Sequence, residues 1–290
     1  MILMRSTPRE SEKVYRLDRE ERATTPRIVS HFSCGAASAI ATKLALARYG
    51  RERVVIFNAF ILEEDSDNRR FLADCEVWFK HPITVLRDKK YGASAREVWR
   101  RERYMNGPFG ASCSTRLKRE VIEAACLPDD RHAMGFVIDE KNQDRIERGR
   151  KVGWIMPCID ANLTHADCRG MIERAGLRLP RRYAQGYGNA NCVGCCKGGE
   201  KYWRKTRADS PQDFDDVAAI QEELGKGAYF FRNRKTGERW PLTQLSLDGP
   251  VEKAVAAPEC SSFCAMAEEA TDPEDAEQDE TGAMRCPPRE

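Results

Sequence analysis

The chain has 290 residues, 41% of them hydrophobic and 32% charged, and its 48 basic and 46 acidic side chains leave a formal charge of +2. That supplies one large core, or one core with a small appendage, while the near balance of signs favours no partner by charge alone. No stretch approaches the roughly 20 apolar residues of a membrane span, and the opening MILMRSTPRESEK is charged too early for a secretion signal, so the reading is a cytoplasmic protein without a membrane partner.

In chain order, RIVSHFS reads as a buried strand and SAIATKLALARYG as the helix after it, closed by Gly50. RVVIFNAF is a second strand and SDNRRFLADCEVWFK its helix; ITVLRD precedes the helical SAREVWRRERYM; STRLKREVIEAACL precedes the strand HAMGFVID. Strands that alternate with helices in this way predict an α/β fold, a doubly wound parallel sheet covered on both faces. Beyond WIMPCID the pattern changes to short helices and turns rich in Gly, Asn and Cys, with PQDFDDVAAIQEELG the clearest late helix, capped by Ser210 and Pro211. These residues predict a small Cys-rich appendage packed on the sheet. The acidic run AEEATDPEDAEQDETG has no aromatic residue and reads as a disordered end. The organisation that follows is an N-terminal extension over 1–26, a nucleotide-binding α/β domain over 27–170, a helical Cys-rich region over 171–264 and an acidic tail over 265–290.

In such sheets ligands bind beyond the carboxyl ends of the strands. Ser33-Cys34-Gly35-Ala36-Ala37-Ser38 stands there, at the mouth of a helix. Gly35, Ala36 and Ala37 let a phosphate approach backbone N–H groups at the positive helix end, and Ser33 and Ser38 add hydroxyl donors. The turn is neither a Walker-type loop nor the Gly-x-Gly-x-x-Gly of dinucleotide folds. A serine-capped turn with no ligand is the competing reading.

Because the cytosol keeps thiols reduced, 12 cysteines point to metal or redox chemistry. Cys192-x-x-Cys195, among the glycines of GNANCVGCCKGG, and Cys260-x-x-x-Cys264 together match four-thiolate coordination of zinc or a [4Fe–4S] cluster. Small buried hydrophobes are the alternative. Cys196 and Lys197 add a thiol and a cation beside that set. Cys113 opens the helix SCSTRLKRE with Arg116 and Lys118 one turn on, a setting that lowers a thiol pKa and makes Cys113 and Lys118 the candidate catalytic pair. A helix-capping turn with an incidental cysteine is the alternative, and Arg116 and Lys118 read equally well as phosphate ligands. Asn58 ends the second strand, where a base or ribose would bind, or simply closes that strand; Glu140, Lys141 and Arg145 offer phosphate or sulfate contacts, or a solvated helix face. Tyr202, Trp203, Arg204, Lys205 and Arg207 interleave rings and bases as a nucleic-acid surface would, or shield a metal centre.

SCGAAS lies where the PP-loop of the adenine nucleotide alpha-hydrolase superfamily has Ser-Gly-Gly-x-Asp-Ser. FNAFILEEDSDNRRFLADCEVWF, GPFGASCSTRLKREV, GFVIDEKNQDRIERGR and NANCVGCCKGGEKYWRKTRADSPQDFDDVAAIQEELG with PECSSFC resemble segments of the phosphoadenosine phosphosulfate (PAPS) reductase family, in a bacterial and phage-borne branch of PAPS reductase-like proteins. The resemblance runs over roughly residues 27–264 and is most specific around Cys192. It implies that an adenine nucleotide, ATP or PAPS, sits on Ser33, Gly35, Ala36 and Ser38 with Asn58, Arg116 and Arg145 as further contacts. It also implies an iron–sulfur centre rather than zinc, magnesium with the nucleotide, and a thioredoxin-like reductant or a sulfur donor as partner. Cys34 stands for the first glycine of the motif and Ala37 for its aspartate, so a magnesium ligand must come from elsewhere, with Glu63, Glu64 and Asp65 as candidates. The family's C-terminal Glu-Cys-Gly-x-His is present only as Glu259-Cys260-Ser261.

The expectation is an enzyme of sulfur metabolism or sulfur transfer, a sulfonucleotide reductase or an ATP-dependent sulfurtransferase. A nucleic-acid (tRNA or DNA) thiolation protein of the same fold and a non-catalytic nucleotide-binding module are the alternatives.

Overall fold

The structure is a computed structural model that describes residues 25–107, 110–139, 143–233, 235–246 and 248–256. Its centre is a four-stranded, all-parallel sheet in the order β3-β2-β1-β6, made of β1 (Ile28–His31), β2 (Val54–Ala59), β3 (Ile83–Leu86) and β6 (Arg131–Ala133). The register sets Ile28 opposite Val54 on one side and Arg131 on the other, and Ile56 opposite Ile83. A single parallel bridge from Ala133 to Ile155 extends the β6 edge.

Alternation along the strands directs two apolar faces. Ile28, Val54 and Ile56 meet α1 (Ala36–Tyr49), α2 (Asp67–Phe79) and residues of α7 (Pro157–Asp160) and α8 (His165–Arg174). Val29, Phe57 and Ala59 meet Ile122 of α5 (Glu120–Glu123) on the opposite face. Helices therefore cover both faces, the α/β arrangement expected when strands and helices alternate along the chain. The Ala-rich α1 is stopped by Gly50, whose φ of 81° suits glycine and whose N–H bonds the Leu46 carbonyl. At the start of α8, Thr164 and Asp167 form a reciprocal capping box. The boundary read at residue 170 falls inside this helix.

Two elements differ from the sequence reading. The strand expected over HAMGFVID lasts only through Ala133, because Gly135 turns in against α1: a Cβ there would stand 2.8 Å from the Ser38 Cα and 2.9 Å from its N. The helix after Cys113 is broken into α4 (Ser112–Ser114), a wider π-helical turn over Thr115–Arg119, and α5. Such turns re-aim side chains and recur at functional sites.

The late segment packs on α3 (Ala95–Glu102), rather than on the sheet itself, and shares one core with it. Trp99, Met105 and Leu117 join Tyr202 and Trp203 of α10 (Glu200–Asp209) and Phe214, Val217 and Ile220 of α11 (Pro211–Leu224). α11 begins with Pro211 at its first turn, as expected, although Ser210 makes no side-chain cap bond. Among the described residues no helix is long and apolar enough to cross a membrane.

Trp203 is 0% exposed and stacks on Phe230 at 5.6 Å with Phe214 edge-on at 5.9 Å. Trp203→Ala is expected to lower stability by about 3–5 kcal/mol, read as the shift of the urea unfolding midpoint; a shift near zero would remove this ring from the core.

Candidate functional site

The order β3-β2-β1-β6 sends the chain to opposite sides of β1, and an open crevice is left at the carboxyl ends where the direction reverses. A cavity of about 120 Å³ occupies it, walled by Ser33, Gly35, Ala37 and Ser38 from the β1–α1 turn and by Gly135 and Phe136 from the segment after β6. Lys118, Arg145, His165 and Asn191 bring polar groups to the same space. The sequence-predicted Ser33, Gly35, Ser38, Lys118 and Arg145 are thus brought together.

The turn is tightly built. The Ser38 hydroxyl donates to the Gly35 carbonyl at 2.9 Å and accepts from the Ser33 N–H at 3.1 Å and the Ser33 hydroxyl at 3.2 Å. The Ala36 N–H donates to the Tyr183 hydroxyl at 3.1 Å, so Ala36 is held from outside the loop. The N–H groups of Ala37 and Ser38 belong to the first helical turn, which the helix itself leaves unpaired. Cys34 adopts a left-handed φ of 58°, a conformation that costs a non-glycine residue about 1–3 kcal/mol. Its buried thiol lies 3.6 Å from the Asn58 amide, and burial pushes its pKa well up.

Asn58 and Arg116 are not among the cavity's lining residues. Asn58 is 1% exposed and donates to the Phe32 carbonyl at 2.8 Å, pinning the end of β1. Arg116 bridges Glu102 at 3.0 Å and also pairs with Glu120. The three carboxylates proposed for magnesium are engaged as well. Glu63 caps α3 through Ser94 Oγ at 2.5 Å and the Ala95 N–H at 2.8 Å, and Asp65 pairs with Arg181 at 2.8 Å. Glu64 is buried, 3.7 Å from Lys118 Nζ and 3.5 Å from Arg69. Desolvation raises its pKa, and these two cations oppose that effect. The π-helical turn aims Lys118 inward to this pair, and no residue pattern signalled it.

A second group of side chains lies behind the first. Cys113, Cys192, Cys195, Lys197 and Asn191 line a pocket of about 20 Å³. Cys196, whose thiol donates to the Met105 carbonyl at 3.8 Å, neighbours Cys113 and Cys195; its pKa is pushed well up by these two thiols and by burial, while theirs are lowered beside it, Cys195 to about 7. The Tyr202 hydroxyl, fully buried, accepts from the Cys195 N–H at 3.1 Å and donates to the Cys192 carbonyl at 3.0 Å, fixing the turn between them. Of the four thiolates read as a metal set, Cys192 and Cys195 stand here, half of a soft-donor shell of the kind zinc or a cluster takes. Cys260 and Cys264 lie outside the described residues, as do Glu140 and Lys141. Among the described residues no group of three or more His, Cys, Asp or Glu is placed to hold a metal ion.

The basic and aromatic run after Gly199 turns its rings inward. Tyr202, Trp203 and Lys205 are buried, and Arg207 bonds the Leu245 carbonyl at 3.2 Å. No protein-family model matches the chain, and no curated protein matches it.

Sequence reasoning missed one pair entirely. His31, at the end of β1 and on the cavity wall, meets His132 of β6 with Nε2 to Nδ1 at 2.9 Å. The pairing register could have placed them together, since Val29 stands opposite His132. Burial, then the neighbouring imidazole, lowers the His31 pKa to about 3. An unfolded imidazole binds its proton near 6.5, so neutral His31 contributes stability that is complete above that pH and lost as pH falls toward 3. In that window the unfolding free energy of the parent should fall more steeply with acid than that of His31→Gln, measured by urea titration at stepped pH; equal slopes would mean that His31 is not held neutral.

Proposed function

We propose that the chain is a PAPS reductase-like enzyme that binds an adenosine sulfonucleotide in the large cavity and passes its sulfo group to the thiol of Cys113. One observation carries this reading: the turn that presents helix N-terminal N–H groups at the strand ends and the acidified thiols of Cys113 and Cys195 line adjoining pockets that share a wall at Asn191. The engaged state of Glu63, Glu64 and Asp65 favours a sulfonucleotide over magnesium-assisted cleavage of ATP.

In this mechanism the turn Ser33–Ser38 receives phosphate through backbone N–H groups, with Lys118 and Arg145 supplying positive charge. The Cys113 thiolate attacks the sulfo sulfur, forming a sulfur–sulfur bond and breaking the sulfur–oxygen bond, and adenosine bisphosphate leaves with that electron pair. The Cys196 thiol attacks the Cys113 sulfur and gives up its proton to the departing sulfite, which leaves as hydrogen sulfite with the electron pair of the broken sulfur–sulfur bond, and a Cys113–Cys196 disulfide remains. A dithiol reductant of the thioredoxin class returns two electrons and two protons. Cys192 and Cys195, with Cys260 and Cys264, would hold the metal centre. When bound, such a centre would fix the turn that carries Cys192 and Cys195.

Sulfite and adenosine bisphosphate released from PAPS by anaerobically purified protein with a dithiol reductant are the expected products. Cys113→Ser should keep nucleotide binding and lose at least about 100-fold in turnover, roughly 3 kcal/mol of barrier. Full turnover in this variant removes Cys113 from the chemistry. Gly35 has φ −93°, open to any residue, and a Cβ there makes ordinary contact with Tyr183 and Ser33 at 3.6 and 3.7 Å. Gly35→Val should therefore fold normally and bind adenosine 3′,5′-bisphosphate at least tenfold more weakly in equilibrium dialysis; unchanged affinity would move the phosphate site away from the turn.

A further inference from the structure

Asn191 lines both the large cavity and the small thiol pocket, and no other residue lies between Ala190, which lines only the first, and Cys192, which lines only the second. The partition is stiff on its cavity side. The Asn189 carboxamide oxygen accepts the Asn191 N–H at 3.1 Å, and the Ala190 carbonyl accepts the buried Asn68 amide at 2.8 Å. On the thiol side the Val193 N–H bonds the Glu63 carbonyl at 2.9 Å, and the Tyr202 hydroxyl joins the Cys192 carbonyl to the Cys195 N–H. The wall is half-buried at Asn191 and otherwise anchored at fixed atoms, so Asn191 is the place where a ligand in the large cavity meets the chain that carries the thiols.

We infer that Asn191 is a positioning residue that couples the two pockets: an anionic adenine nucleotide in the large cavity is felt at the Cys192–Cys195 turn through Asn191 and the Tyr202 clamp. This deepens the reading of the large cavity as a nucleotide site and rests on it. The device orders the thiols when the nucleotide is in place. Coupling of this kind is reciprocal, so a change imposed at the turn alters nucleotide affinity by the same factor that the nucleotide alters the turn.

The test uses the full chain as purified and adenosine 3′,5′-bisphosphate as the probe. Equilibrium dialysis reads affinity, and amide hydrogen exchange reads two peptides, one over residues 33–38 and one over residues 192–196. In the parent, saturating nucleotide should slow exchange in both peptides, the second by at least fivefold. In Asn191→Ala, saturating nucleotide should still protect peptide 33–38, whatever the change in affinity, but the protection of 192–196 should vanish. Tyr202→Phe keeps the buried ring and removes the clamp; it should weaken nucleotide binding in the parent background and leave it unchanged in the Asn191→Ala background, a non-additivity that a purely structural role would not produce. Binding with no slowing at 192–196, or equal slowing in the parent and Asn191→Ala, or additive variants, overturns the coupling and leaves the nucleotide site intact. A parent that binds no nucleotide overturns the site and the coupling together.

Discussion

The parallel pairing of β1 with β6 on one side and β2 on the other is the constraint on which the remaining architecture depends. Because the chain departs from β1 in one direction and returns on the far side, the segments that follow β1 and β6 cannot cover the same ground. The gap between them is the large cavity, and its walls are whatever residues come next in each segment. Gly135 closes one side against Ser38 at a separation that admits no side chain, and so the width of the cavity is set by backbone contact.

Charge inside this region is arranged with the same economy. Lys118 is 3% exposed and Glu64 8%, so each is buried against the other, and removing one would leave its partner's polar group short of a contact in a dry setting. Arg69 and Asn68 complete the set around Glu64, while the second Asn68 contact supports the Ala190 carbonyl. A buried charge pair therefore fixes a cation at the cavity and, through Asn68, the loop that separates it from the thiols. The pair is specific rather than strongly stabilising, since desolvation offsets much of its attraction.

The alternating strands and helices were legible in the sequence because short β-branched and apolar runs such as IV in IVSH and VVIF in VVIFNA are each followed by a longer helix-forming segment such as the Ala-rich α1. The turn Ser33–Ser38 could be placed at the cavity mouth from its small residues and its position between strand and helix. What could not be read depended on distance in the chain. Asn58 looked like a ligand because it ends a strand, but its amide is used by the Phe32 carbonyl 26 residues earlier. Arg116 and Lys118 looked equivalent, and the π-helical turn separates them, sending one to surface carboxylates and the other to a buried one. Trp203 looked like part of an exposed basic stripe because α10 has charges on either side of it, whereas its partners Phe214 and Phe230 lie in elements that propensity alone cannot bring together. Cys113 and Cys196 stand 83 positions apart, and nothing local in either segment announces that they touch.

Cys34 shows a different kind of choice. A glycine would hold the left-handed backbone at no strain, yet it would leave a void where the thiol now sits against the Asn58 amide and the apolar face of α1. The chain accepts a strained dihedral in return for a filled volume. The loop therefore keeps its shape through the pressure of its packing, and would keep it in an empty cavity as well as in a filled one.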